Sequence, residues 1–386
     1  MESRAGTPTG TVRHRQTRMD AAAAGIWCFG AAVVYSWAFF LSYQETAPDL
    51  PTRQEFAARF SRFDFVHFDE IARLGYLPPR EEVSTAAPLY AFFPAVPLLL
   101  RLGLVFSLST VTTGLVVSFA SGLIACLWLR RIAERYQPGL GLKAVAALVT
   151  APPAVFLYVP YTESLFLALG LGAWYFGMSG RWGKAGLLCA AACTVRISGA
   201  FLLAGLVTMW MMQAITRKRA GDAMSGRSWW VFAMPIAVLA GWMGYLAIIT
   251  GDPLAYQTAQ QYWLRRLVWP WEAFMTTLKA YPPTWGTGFM GVIEIIALGS
   301  GAVVLAVLLI RHLYPESVYM ALNVVTLGAG SFYGSVPRSA LLWFPMWIGI
   351  AYLMGRFRIV FGIYVLFSLC LMVWWANLFL SGQWAG

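Results

Sequence analysis

The stretch "YAFFPAVPLLLRLGLVF", residues 90–106, is nearly continuous in apolar side chains, yet Pro94, Pro97 and Arg101 interrupt it. A crossing of ~30 Å of hydrocarbon needs about 20 predominantly apolar residues, and a short, proline-broken, arginine-bearing run suits a helix lying in the interface. Taken as a juxtamembrane helix, it sets the direction of every crossing that follows.

On its N-terminal side, residues 20–42 form a first crossing. The segment before it, "TPTGTVRHRQTR" at residues 7–18, is polar and basic and lacks a cleavable-signal pattern. Arg4, Arg13, Arg15 and Arg18 place it inside by the positive-inside rule, so residues 1–19 read as a cytoplasmic tail. Residues 43–110 then form a large outer loop with interfacial helices.

On the C-terminal side, residues 111–129 cross inward and deliver "RRIAERYQPGLGLK" to the cytoplasm. Residues 143–160 return outward, and 162–178 come back to "SGRWGK". Residues 185–213 must make a round trip, because "TRKRAGDAMSGR" is again basic; one half is short and Arg196 lies at the outer turn. Crossings at 229–250, 289–310, 317–333, 339–354 and 359–380 complete about eleven transmembrane helices. The expectation is one all-α polytopic membrane domain over residues 1–386, with core helices in 111–250, a second outer loop at 251–288 and C-terminal helices in 289–386.

Composition agrees: 59% of the 386 residues are hydrophobic, 12% are charged and eighteen are tryptophan, too apolar for a soluble chain of this length. The net charge of +11 sits in short loops as a topology signal, which excludes nucleic acid as a partner. Cys28, Cys126, Cys189, Cys193 and Cys370 lie in apolar runs and read as buried thiols; His14, His67 and His312 are too scattered for a metal cluster. No glycine-rich dinucleotide fingerprint, Walker loop or D-x-D sequence offers a nucleotide site. A lipid-borne substrate entering sideways between helices remains.

In this register "PYTES" (160–164), Arg196, "TGDPLAY" (250–256), "WLRRLVWPW" (263–271) and "SVPRS" (335–339) all join the first loop at the outer face. The pair Arg265 and Arg266 breaks the charge rule there and points to an anionic ligand. In the first loop, a helix over 59–75 gathers Phe60, Phe63, Phe68, Ile71 and Leu74 on one side together with Asp64 and His67, at about 100° per residue. Arg59, Arg62, Asp69, Glu70 and Arg73 fall on the opposite, solvated side. Asp64 thus faces the apolar body, where desolvation raises a carboxyl pKa; it is either a general base in a water-poor cleft, or it caps a helix or pairs structurally with Arg196 or Arg338. Glu163 is either a ligand or a first-turn acceptor beside Thr162 at the N-cap. Arg196 is an intramembrane arginine suited to phosphate or carboxylate, whereas Arg338 either joins it or snorkels. Asp252 reads equally as an Asx turn, and the tryptophans and tyrosines of 262–271 as an interfacial belt.

"RFDFVHFDEIARLGY" (62–76), "YAFFPAVPLLLR" (90–101), "YTESLFLALGLGAWY" (161–175) and "CTVRISGAFLL" (193–203) resemble, in order and spacing, the GPI mannosyltransferase II (PIG-V-like) family. Weaker echoes follow in "GDPLAYQTAQQYW" and "PRSALLWFP", and Phe63 stands where the family typically has tryptophan. The resemblance implies a GT-C-type glycosyltransferase using a polyprenyl-phosphate sugar, mannose by analogy, at the outer membrane face, in glycolipid biosynthesis. By position it makes Asp64 the catalytic base, with His67, Glu163, Arg196 and Arg338 around the substrate. Arg265 and Arg266 are further candidates for the leaving phosphate. A monophosphate leaving group met by arginines implies no cofactor or metal, and the acceptor would be a membrane lipid or glycan. Arginine outnumbers lysine by 24 to 4, which suggests a bacterial plasma-membrane protein. A lipid-linked-sugar flippase would carry polar groups throughout its spans, and a noncatalytic scaffold would not explain Asp64.

Overall fold

A computed structural model describes residues 10–79, 87–220, 229–263, 266–280 and 288–383. Among them the regular structure is helical, with one isolated antiparallel bridge between Leu267 and Gly330. In chain order the helices are α1 (Gly10–Thr46), α2 (Arg53–Ala58), α3 (Asp64–Leu74), α4 (Ala95–Val105), α5 (Thr110–Tyr136) and α6 (Gly141–Val149). Next come α7 (Val155–Tyr158), α8 (Glu163–Met178), α9 (Trp182–Cys193), α10 (Ser198–Arg219), α11 (Ala233–Thr250) and α12 (Ala255–Gln260). The last six are α13 (Pro270–Ala280), α14 (Gly288–Ile310), α15 (Tyr314–Gly328), α16 (Val336–Ala340), α17 (Phe344–Met354) and α18 (Arg358–Leu380).

Six of these, α1, α5, α10, α11 with its leading turn, α14 and α18, are long and apolar enough to cross a bilayer. α6 and the turn-plus-helix Pro152–Tyr158 would make a seventh crossing, bent by 78°. This is an integral membrane protein whose crossings form as helices because lipid gives the backbone no other partner. The expected count of about eleven is only partly matched. α8, α9, α15 and α17 have 16, 12, 15 and 11 residues, below the ~20 that span hydrocarbon alone. Residues 185–213, expected to make a round trip, fall in short α9 and long α10, of which only α10 is long enough to cross, with Arg196 in the break between them.

α5 and α8 pack along each other at the centre, where α8 is buried over most of its length. α1 crosses α5 at Gly122: a methyl group there would overlap the Trp27 ring, which stacks on Tyr158 at 4.4 Å. The indole of Trp27 donates to the Phe119 carbonyl at 3.1 Å, so one side chain joins α1, α5 and α7. Outward faces are apolar and exposed, as at Ile248, Val303 and Ile359, which suits lipid. Cys126, Cys189 and Cys193 are buried as expected; Cys28 and Cys370 instead lie exposed on α1 and α18, because their positions fall on the outward faces of those spans.

The run at 90–106 does form a short helix, α4, after Pro94. Arg101 donates to the Ala72 carbonyl at 2.8 Å and the Ile71 carbonyl at 3.1 Å, capping the last turn of α3. Gly75 closes α3 with φ at +88°, a backbone angle that excludes most other residues. Of the expected helix over 59–75 only α3 (Asp64–Leu74) forms; residues 59–63 are a non-helical link from the end of α2, with Phe63 at φ +51°. Arg59 therefore leaves the α3 face: it is buried, donating to the Leu41 carbonyl at 2.9 Å and pairing with Glu45 at 2.5 Å. Glu70 is likewise buried rather than solvated, its carboxylate 3.8 Å from His67. Asp69 does pair with Arg73, at 2.9 Å.

Candidate active site

Four short elements bring together the ionisable residues singled out in the sequence. Asp64 opens α3, Glu163 opens α8, Arg196 sits in the α9–α10 break and Arg338 lies in α16. Arg338 donates through Nη1 to Asp64 Oδ2 at 2.6 Å and through Nε to Glu163 Oε1 at 2.6 Å. Arg196 donates through Nη1 to the same Glu163 oxygen at 2.5 Å and to Thr162 Oγ1 at 2.7 Å. Two acids and two guanidinium groups thus form a neutral quartet. Burial of Glu163, whose side chain is 0% exposed, is tolerable because two cations share its charge.

Glu163 and Thr162 do not act as a first-turn cap: α8 starts without a side-chain cap bond, and both side chains serve the guanidinium groups. Arg338 does not snorkel. It is buried over the rings of Tyr161 at 4.5 Å and Phe156 at 5.1 Å, so the aromatic faces hold it as a cation. Tyr161 is fixed in turn by donating to the Arg62 carbonyl at 3.0 Å. Sequence reasoning passed over Tyr161 and Phe156. Tyr161 lies within the quoted "PYTES" motif, but nothing in sequence distinguishes Phe156 from the apolar residues around it.

Asp64 is the quartet member that opens outward, its side chain 32% exposed. Oδ2 is taken by Arg338, while Oδ1 has no hydrogen-bond partner among the described residues. Burial pushes the Asp64 carboxyl up, but the Arg338 charge and hydrogen bond outweigh it and hold the pKa below the ordinary value. The expected upward shift is thus reversed, since a guanidinium at contact distance favours the anion more than partial desolvation opposes it. His67, one turn along α3, is held below the ordinary histidine value by burial, against the pull of Asp64 and Glu70. Its ring stacks on Phe92 at 4.9 Å and meets Trp263 edge-on at 6.2 Å.

Other segments assigned to this end of the bundle also converge. Tyr256 contacts Phe93 at 5.3 Å, and the backbone of Arg266 donates to Ser331 Oγ at 3.2 Å. The Arg266 side chain is exposed and makes no ion pair or hydrogen bond with the quartet; Arg265 lies outside the described residues. Asp252 is an Asx turn, accepting from the Leu254 N–H at 2.8 Å and from Thr258 at 2.8 Å. Trp269 and Trp271 stack exposed, as an interfacial belt requires, whereas Trp263 turns inward to His67. No group of three or more histidine, cysteine or acidic side chains among the described residues is placed to hold a metal ion.

α3, α4 and α11 enclose an apolar groove of about 460 Å³ lined by Ile71, Tyr76, Leu98, Val238, Trp242 and Tyr245. Thr194 forms part of its wall, two residues before Arg196, and its carbonyl accepts from Ala95 N–H at 3.0 Å. The groove therefore reaches the α9–α10 break that carries Arg196, although none of the four quartet residues lines it.

No family model and no solved structure matches the chain. One curated protein does: GPI mannosyltransferase 2 of Yarrowia lipolytica, 34% identical over 89 residues. The chain is similar to a mannosyltransferase. The matched part is 22% of this chain and 25% of that relative, so the chain spans about a quarter of the protein it matches. This is the family that the four sequence motifs resemble.

Proposed function

We propose that the chain is a membrane glycosyltransferase that moves mannose from a polyprenyl-phosphate donor to a hydroxyl of a lipid- or glycan-linked acceptor on the non-cytoplasmic side. The observation that carries this reading is the Asp64 carboxylate, tied by one oxygen to Arg338 and open at the other. The partial identity to a GPI mannosyltransferase supports the reaction class.

In this reading Asp64 Oδ1 accepts the proton of the acceptor hydroxyl as its oxygen bonds to the anomeric carbon. The bond from that carbon to the phosphate oxygen breaks on the opposite face, with inversion, and polyprenyl phosphate leaves with the electron pair. A carboxylate of low pKa suffices, because in an oxocarbenium-like transition state the attacking hydroxyl becomes strongly acidic only as the new bond forms. Arg338 keeps Asp64 ionised and oriented rather than meeting the phosphate, since both of its bonded nitrogens already face carboxylates. Arg196 is better placed for the leaving group. Its bonds to the protein come from Nη1, and Nε and Nη2 have no partner among the described residues. His67 offers a hydrogen bond to a sugar or acceptor hydroxyl, Arg265 and Arg266 serve as peripheral phosphate contacts, and the apolar groove takes the isoprenoid tail. A phosphate monoester leaving group met by guanidinium groups requires no divalent metal in this scheme.

The test is Asp64→Asn in purified protein reconstituted with radiolabelled polyprenyl-phosphate mannose and membrane lipids. Loss of the base should lower transfer at least ~100-fold while donor binding persists. Undiminished transfer in that variant would eliminate the assignment of Asp64; movement of donor across the bilayer without transfer by the wild type would favour a flippase instead.

A further inference from the structure

The 23-residue span α14 contains one ionisable side chain, Glu294, and it is 4% exposed. A carboxylate inside a crossing is costly unless its oxygens are matched, and in such positions function is the default expectation. Here both oxygens are matched by one small element. Oε1 accepts the Ser335 N–H at 2.9 Å and Oε2 accepts the Val336 N–H at 2.7 Å.

Those two N–H groups begin α16, the five-residue helix that carries Arg338. A helix this short is not stable on its own, because one turn does not recover the cost of nucleation. Its entry is also unfavourable: Ser335 sits at φ +62°, in the left-handed region that non-glycine residues avoid. Something must hold the segment in place, and Glu294 grips it at the strained residue and the next. Arg338 follows Val336 by two positions and makes its bonds to Asp64 and Glu163 at 2.6 Å each, a geometry that a loose α16 would not keep.

We infer that Glu294 is a positioning residue of the transfer reaction: from within α14 it anchors the start of α16 and thereby sets the Arg338 guanidinium against Asp64. It touches no substrate. The kinetic consequence rests on the glycosyltransferase reading, whereas the placement of Arg338 does not.

The experiment compares wild type, Glu294→Ala and Glu294→Gln by two readouts. The first is the arginine Nε–H spectrum of ¹⁵N-arginine-labelled protein in detergent, with the Arg338 signal assigned by its loss in Arg338→Lys. A buried, carboxylate-bound Nε–H exchanges slowly in the wild type, and in Glu294→Ala that protection should be lost. The second is the pH dependence of mannose transfer by the folded fraction. In Glu294→Ala, kcat should fall by about 100-fold, as a displaced catalytic group does, with KM changed less and the acidic limb moved to higher pH as Asp64 loses its cation. Glu294→Gln, which keeps one acceptor oxygen, should fall between. A purely structural role would reduce yield and thermal stability but leave both the Nε–H protection and the acidic limb of the folded fraction where they are in the wild type, and that result overturns the inference. If Glu294→Ala does not fold, the same two readouts on Glu294→Gln decide. If the wild type transfers no mannose, the glycosyltransferase reading fails and the Nε–H signal alone judges the anchoring.

Discussion

Replacing Arg338 by methionine removes one cation from a quartet that is neutral as built. Glu163, fully buried, keeps only Arg196 at 2.5 Å, and Asp64 loses its guanidinium altogether. Breaking a buried pair by deleting one partner costs about 3–5 kcal/mol. The remaining Arg196 bond reduces the share at Glu163 to roughly 2–3 kcal/mol on that scale. Asp64, one-third exposed, adds up to ~1 kcal/mol, as partly solvated pairs do. Arg338→Met should therefore lose about 2–4 kcal/mol. Adding Glu163→Gln removes the stranded anion and restores neutrality, with Asp64 and Arg196 left. The double variant should recover roughly 2 kcal/mol relative to Arg338→Met, about a 30-fold change in the unfolding equilibrium, although Glu163→Gln alone destabilises by stranding the cations instead. The assay is denaturant unfolding of the four proteins in one detergent, followed by intrinsic tryptophan fluorescence, read as a double-mutant cycle. Strict additivity, or an Arg338→Met variant as stable as the wild type, would refute the description of these residues as one balanced ionic cluster.

Two further outcomes test other parts of the site. In the proposed reaction Asp64 acts as an ionised base and its pKa is depressed, so kcat/KM should hold down to a pH below the ordinary carboxylate range and be lost only as pH falls through the depressed value. The stabilisation from the Asp64–Arg338 pair should follow the same sign, present above the unfolded carboxyl's pKa and lost on acidification; a pH–rate profile with its acidic limb above pH 5 would contradict the pairing. Gly241 lines the apolar groove and faces open space, so Gly241→Phe should fold normally yet raise KM for a long-chain polyprenyl donor by about tenfold, with little effect on a short-chain analogue. Equal effects on both donors would show that the tail does not lie there.

Much of the architecture could be read from local runs of residues. An apolar segment of sufficient length must be helical wherever it meets lipid, so the spans at 20–42, 229–250, 289–310 and 359–380 appear close to where hydropathy puts them. Pro94, Pro97 and Arg101 made α4 a short helix rather than a crossing, and the residue types Asp64, Glu163, Arg196 and Arg338 drew attention because charge is expensive in such surroundings. The pairings were not legible. Arg338 is 274 residues from Asp64 and 175 from Glu163, and which nitrogen meets which oxygen depends on the packing of α3, α8 and α16 to within a few tenths of an ångström. The direction of the Asp64 shift follows from that contact, so burial alone suggested the wrong sign. The non-helical link over 59–63, which takes Arg59 off the α3 face, and the grip of Glu294 on Ser335 and Val336 are likewise products of the folded chain. Helix formation responds to neighbours along the chain, so sequence determined the long apolar spans. Ionisation and catalytic geometry respond to neighbours through space, so only the tertiary structure decided them.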